Sequence, residues 1–233
     1  EINLTYKFLE DSINKKHEKF VEAANTIWGY AELAYKEHQS SELQIKLLKE
    51  EGFHIERGVG GIETAFTAKF GSGKPVIGLL GEFDALPGLS QKADLAEKEA
   101  LVEGGTGHGC GHQLLGTGCM QAAVGIKDYI EENHIPGTVI YYGCPAEEGG
   151  AGKAFMVREG VFDEADVCLA WHPFDITVGS TSTLANARVF YNFKGTSSHA
   201  AVSPHLGRSA LDSVELMNVG VNYLREHMIP EAR

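Results

Sequence analysis

Three short apolar runs, at residues 76–80, 138–142 and 165–170, each lead into a cluster of polar residues, and this repeated pattern constrains the fold more than any other feature. Runs so continuous, the second rich in β-branched and aromatic residues, read as buried strands. Helical patterns separate them. Residues 114–130 form one, with Gly116, Gly118, Ala122 and Ala123 on a face able to approach a sheet closely, and residues 154–158 form a short second. Upstream, Ile13, Phe20, Ala24 and Ile27 recur at helix spacing, and Ser40 and Ser41 are candidate caps for a helix carrying Leu43, Ile45, Leu47 and Leu48 as far as Gly52. Thr64, Phe66, Ala68 and Phe70 alternate as a half-buried strand. The succession predicts an α/β fold with a largely parallel mixed sheet flanked by helices.

The texture changes after Ala185. Residues 188–194 alternate as a strand, 195–205 are a polar loop and 207–228 are an amphipathic helix, so we expect one domain over residues 1–185 and the start of a second over 186–233. A net charge of −12 with no basic run argues against nucleic acid or an anionic membrane as partner. No stretch is long and apolar enough to span a bilayer, and the polar start Glu1-Ile2-Asn3-Leu4-Thr5 lacks the core of a signal peptide, so a cytoplasmic location is expected. Cys110, Cys119, Cys144 and Cys168 are free thiols in a chain too large to need staples, and the last three read as small core residues.

The stretch Gly107-His108-Gly109-Cys110-Gly111-His112 sets a thiol and two imidazoles among glycines, the donor types and the pliable backbone that a transition-metal site uses. A solvated glycine-rich loop is the plain alternative. Asp84, Cys110 with His112, Glu147 with Glu148, and His172 each follow a predicted strand or lie in a connecting loop. In open α/β sheets ligands bind at the carboxyl ends of strands, so these groups are expected to converge. One acid of the Glu147-Glu148 pair can bind metal while its neighbour moves a proton. Taken singly, Asp84 reads as a turn carboxylate, the glutamates as solvated charges and His172 as a strand-end histidine.

In this order, Gly81-Glu82-Phe83-Asp84-Ala85-Leu86-Pro87-Gly88, the Gly107–His112 stretch, Pro145-Ala146-Glu147-Glu148-Gly149-Gly150, Trp171-His172-Pro173 and Ser197-Ser198-His199-Ala200-Ala201 resemble the motifs of M20 metallopeptidases, in their amidohydrolase branch. The resemblance covers the whole chain. It implies a zinc-exopeptidase-like catalytic domain and the beginning of a small ferredoxin-like α+β lid and dimerisation domain. It gives Cys110, His112, Glu148 and His172 to metal, as ligands of two divalent ions, Zn or Mn. Glu147 matches the general base, Asp84 the aspartate supporting the metal site and His199 the residue stabilising the tetrahedral intermediate; His108 is left a supporting role. Many members carry a ligand His where this chain has Glu82, and the amidohydrolase branch lacks that His and uses the Cys instead. The implied reaction is hydrolysis of the amide of an N-acyl amino acid or peptide, aminobenzoyl-glutamate among them, with Arg188 and Arg208 as candidate contacts for an acidic leaving group. The implied partners are a second copy or a related subunit.

Two alternatives stay open, a non-catalytic or partner-dependent subunit of the same fold and a di- or aminopeptidase of the same family. A structural zinc domain would want paired Cys-x-x-Cys spacing, which is absent. The family's returning catalytic segment and last ligand have no counterpart here, so the chain is expected to be a piece of a longer enzyme.

Overall fold

The computed structural model describes residues 2–179, 182, 183 and 185–232, with side chains from Tyr6 onward; the end positions Glu1 and Arg233 lie outside the described residues. The chain divides into two compact units, Glu1–Asp175 and Ile176–Arg233, a division upstream of the boundary expected at Ala185.

The first unit opens with helix α1 (Ile2–Tyr30) and helix α2 (His38–Glu50). Phe20, Ala24 and Ile27 of α1 are buried, as their spacing requires. Ser40 and Ser41 lie inside α2 instead of capping it. The helix instead begins after Glu37, and the Glu32 carboxylate accepts the backbone N–H groups of Gln39 and Ser40 at 3.0 and 2.8 Å. A charge placed there satisfies otherwise unpaired amides at the positive end of the helix.

The sheet has the order β1-β2-β4-β3-β5, from β1 (His54–Arg57), β2 (Phe66–Ser72), β3 (Val76–Glu82), β4 (Gly137–Cys144) and β5 (Val167–Leu169). β3 runs parallel to both β4 and β5, and β1 and β2 extend the sheet antiparallel. Every residue of β4 is buried. Val139 and Tyr141 face the helical layer of α1, α2 and α3, while Ile140 and Tyr142 face a second core with Val59, Ile62 and Met156. β5 departs from its expected burial. It is a three-residue edge strand with Val167 45% and Leu169 51% exposed, and its Cys168 is exposed, because among the described residues β3 is its only neighbour in the sheet.

Helix α3 (His112–Asn133) packs on β3 through its small residues. A Cβ at Gly116 would stand 2.5 Å from the Glu82 carbonyl oxygen, Ala123 is fully buried, and Ala122 turns to solvent. Gly116→Ala therefore separates helix from strand. In an open helix this change stabilises by about 0.5–1 kcal/mol, whereas overpacking here costs about 1–3 kcal/mol. We expect a lower melting temperature, and an alanine variant as stable as the parent would refute the close approach. The short helix α4 (Gly152–Arg158) lies on the opposite side of the sheet, burying Met156.

In the second unit the helix is α5 (Ala210–Leu224), capped by Ser209, whose hydroxyl accepts the Asp212 N–H at 3.1 Å. No α5 side chain is buried. The strand expected over residues 188–194 does not form, since among the described residues of this unit there is no strand for it to pair with; a single bridge joins Thr196 and Arg208.

Candidate metal centre

The local elements aim the polar groups at one place. Glu82 ends β3 and Asp84 follows it, Glu147 and Glu148 follow β4, His172 follows β5, and His112 is the first residue of α3. Since β3, β4 and β5 are parallel, their carboxyl ends share one edge, and the start of α3 adds its amides to that edge. Two tight groups result. Donor atoms of Cys110, His112 and His172 lie within 4.8 Å of one another, as do those of Glu82, His112 and Glu147. Glu148 Oε1 is 3.9 Å from His112 Nε2.

His112 is common to both groups and fully buried. Its Nδ1–H donates to Asp84 Oδ1 at 2.8 Å, and its Nε2 has no hydrogen-bond partner. His172 repeats the arrangement: its Nδ1–H donates to the Pro173 carbonyl at 2.9 Å, turning Nε2 toward Cys110 Sγ at 3.3 Å. These protonation states are assigned from the hydrogen-bond network. Each imidazole is thus fixed on one nitrogen and presents the lone pair of the other, the arrangement that metal-binding histidines adopt. A buried unpartnered nitrogen is costly unless a cation takes its lone pair. The donor set of thiol, imidazole and carboxylate fits zinc or a similar divalent ion.

The electrostatics agree with a cation-binding site. Burial, together with the charges of Glu148, Glu147 and Glu82, pushes the Cys110 thiol up to about 12. A divalent ion beside it would reverse that penalty and release the proton. Burial alone would lower His112, but the Asp84 hydrogen bond and the charges of Glu82, Asp84 and Glu148 outweigh it and hold its pKa above the ordinary value. Burial and the charges of Glu82 and Glu148 raise Glu147.

Asp84 and Glu37 set the loops. Asp84, 1% exposed, takes His112 on Oδ1 and the Glu148 N–H on Oδ2 at 2.8 Å, tying the start of α3 to the loop after β4. Sequence reasoning missed Glu37, which is fully buried and accepts the Ala146 N–H at 2.8 Å and the Thr64 hydroxyl at 3.0 Å. Ala146 has φ +58°, a left-handed conformation that this hydrogen bond helps to hold immediately before Glu147. Glu37→Ala leaves two buried donors unpaired, each costing about 1–3 kcal/mol, and we expect a matching fall in thermal stability. Unchanged stability would mean that water replaces both bonds. The Trp171 indole N–H donates to the Leu115 carbonyl at 3.2 Å and so pins the His172 loop to α3. His108 packs against α1. Its Nε2 contacts the Ile27 carbonyl, and burial holds its pKa down to about 4, so it is a neutral strut to α1.

His199 belongs to the second unit. Its Nδ1 accepts the N–H groups of Ala201 and Val202, both at 3.2 Å, which leaves Nε2–H as a donor. Arg208 donates to the carbonyls of His205 and Gly207 at 3.2 and 2.6 Å.

Comparison with known proteins gives a consistent picture. The sequence profile of peptidase family M20/M25/M40 matches residues 78–222. The chain is 50% identical to a p-aminobenzoyl-glutamate hydrolase subunit of Escherichia coli, over 98% of this chain and 48% of that protein. It is 30% identical to the Xaa-Arg dipeptidase of Mus musculus, over 100% of this chain and 53% of that protein. The chain therefore spans about half the length of the curated relatives it matches. Among solved structures, a dinuclear metal-binding peptidase of the M20 family from Bacillus subtilis superimposes with a TM-score of 0.57 at 24% identity, over 66% of this chain and 42% of that one, a likeness of fold.

Proposed function

Because the chain belongs to peptidase family M20/M25/M40, we propose that its protein is a metal-dependent hydrolase cleaving the amide bond of an N-acyl amino acid, aminobenzoyl-glutamate first among candidates. The observation that carries this reading is His112, buried, fixed by Asp84 on Nδ1 and unpartnered on Nε2 beside Cys110, His172 and two carboxylates. Cys110, His112, Glu148 and His172 would hold two divalent ions, Zn or Mn. When bound, such ions supply Lewis acidity to the amide carbonyl and to the attacking water.

The chain's own groups do the rest. Glu147, half-exposed beside the ligand groups and raised above an ordinary glutamate, accepts the proton of the attacking water and returns it to the leaving amine. Asp84 keeps the His112 ring in the ligating tautomer and holds Glu148 by its backbone. His199, with Nε2–H as its donor, is assigned to the oxyanion. The Escherichia coli relative is one subunit of its enzyme, which makes a complex with a related subunit part of the proposal. No helix among the described residues is long and apolar enough to cross a membrane, and a cytoplasmic location is proposed.

A dipeptidase is the second reading, carried by the 30% identity to the Xaa-Arg enzyme, and the nearer 50% match sets it behind the first. Metal analysis of the purified full-length protein, with hydrolysis of aminobenzoyl-glutamate and of an Xaa-Arg dipeptide, separates them. Stoichiometric divalent metal and turnover of the first substrate are expected. A protein without metal refutes the mechanism, and turnover of the dipeptide alone selects the second reading.

A further inference from the structure

Glu82 closes β3 with a carboxylate whose two oxygens have different surroundings. Oε1 is ion-paired with Lys153 from α4. Oε2 is buried, has no hydrogen-bond partner, and lies 3.1 Å from His112 Nε2, which is buried and unpartnered as well. The Nδ1 proton of His112 is already given to Asp84, so Nε2 and Oε2 present lone pairs to the same small space. Two lone pairs at this distance repel unless a positive centre lies between them or beside both, and once His112 is neutral, above its raised pKa, a proton no longer supplies it and a metal ion can. Glu147 completes the group, with its Oε2 3.8 Å from the same nitrogen.

We propose that Glu82 is a further ligand of this centre, binding the ion through Oε2 while Lys153 fixes Oε1. The inference rests on the metal-dependent reading above. It also divides the labour among the carboxylates. The Glu82 side chain is 12% exposed and locked by Lys153, suited to staying on the ion, whereas Glu147 is 45% exposed and suited to moving a proton. An oxygen ligand added to the Cys and His donors gives the centre one harder side, so a zinc-class or manganese-class divalent ion is the expected occupant.

The test is metal binding by the full-length protein after chelator treatment. Cobalt(II) is titrated while its visible absorption is followed, and zinc and manganese affinities are measured against a competing chelator, for the parent, Glu82→Gln and Glu82→Asp. Both variants are expected to weaken at least one ion about 10–100-fold, the range found when a group fixing a metal site is lost, and to change the cobalt spectrum. Glu82→Gln keeps shape and loses charge, and Glu82→Asp keeps charge and loses reach. Parental affinity and spectrum in Glu82→Gln would overturn the proposal. Loss in Glu82→Gln with full retention in Glu82→Asp would overturn it too, because charge without contact would then suffice. If Glu82→Gln does not fold, Glu82→Asp decides alone, loss supporting direct ligation and full retention refuting it. A parent that takes up no divalent ion removes the metal-dependent reading along with this one, whereas a metal-binding parent with unaffected variants removes only the role of Glu82.

Discussion

Glu147→Gln is expected to keep its metal and lose about 10²–10⁴-fold in kcat, the usual contribution of a positioned general base. The amide of Gln occupies the same volume but cannot take a proton from water. Burial and the charges of Glu82 and Glu148 lift the Glu147 carboxyl above its ordinary value of 4.5, with Lys153 and His112 pulling the other way. A base lifted in that direction holds its proton better at the working pH and still gives it up to the leaving amine. In the metal-loaded enzyme the acid limb of the kcat profile reports protonation of this carboxylate, and it should vanish in the variant. Steady-state rates across pH, with metal content measured on the same samples, check both parts. Parental turnover in a metal-replete Glu147→Gln enzyme would assign the proton to another group.

Asp84→Asn should damage the site without touching substrate. Asp84 accepts on both oxygens, from His112 Nδ1–H and from the Glu148 N–H, and an Asn side chain can accept only on one. Its amide NH₂ would then face another donor in a place that is 1% exposed. The expected result is a metal affinity lower by about 10–100-fold and a stability loss of about 1–3 kcal/mol.

The same pair predicts a pH signature. The folded pKa of His112 is raised above its ordinary 6.5, so the pair's contribution to the metal-free protein is full below that value and is lost as pH rises through the folded pKa. Metal binding runs the opposite way, since protons compete for Nε2. Chelator-treated parent should therefore melt at lower temperature as pH rises above about 6.5, and added metal should restore stability most at the alkaline end. In Asp84→Asn the metal-free decline should flatten. A parent whose metal-free melting temperature rises over this range would contradict the pairing.

The legible parts of the fold were those written in short-range pattern. The apolar run of β4 has every residue buried, and the helical spacing of Phe20, Ala24 and Ile27 faces the core. β1 was missed because His54-Ile55-Glu56-Arg57 carries three polar side chains and becomes a strand by pairing with β2. β5 forms within the apolar run that marked it, but the expected burial of the strand and of Cys168 does not hold, because an apolar run looks alike in a central strand and at an edge. In the site, Cys110, His112, Glu147, Glu148 and His172 were singled out by residue type and by position after strands. Glu37 gave no such signal: one acid at the start of a helix is ordinary, and only its burial against Ala146 and Thr64 marks it.

The sequence by itself determined which donors this protein carries and that they follow the strands of an α/β sheet, because residue type and hydrophobic period are local properties of the chain. Only the tertiary structure decided that His112 gives Nδ1 to Asp84 and keeps Nε2 unpartnered, and that Glu82 turns one oxygen to Lys153 and the other toward His112. Those roles depend on which atoms the parallel register of β3, β4 and β5 brings within about 3 Å of one another, and at that range hydrogen bonding and burial set the protonation and direction of each group.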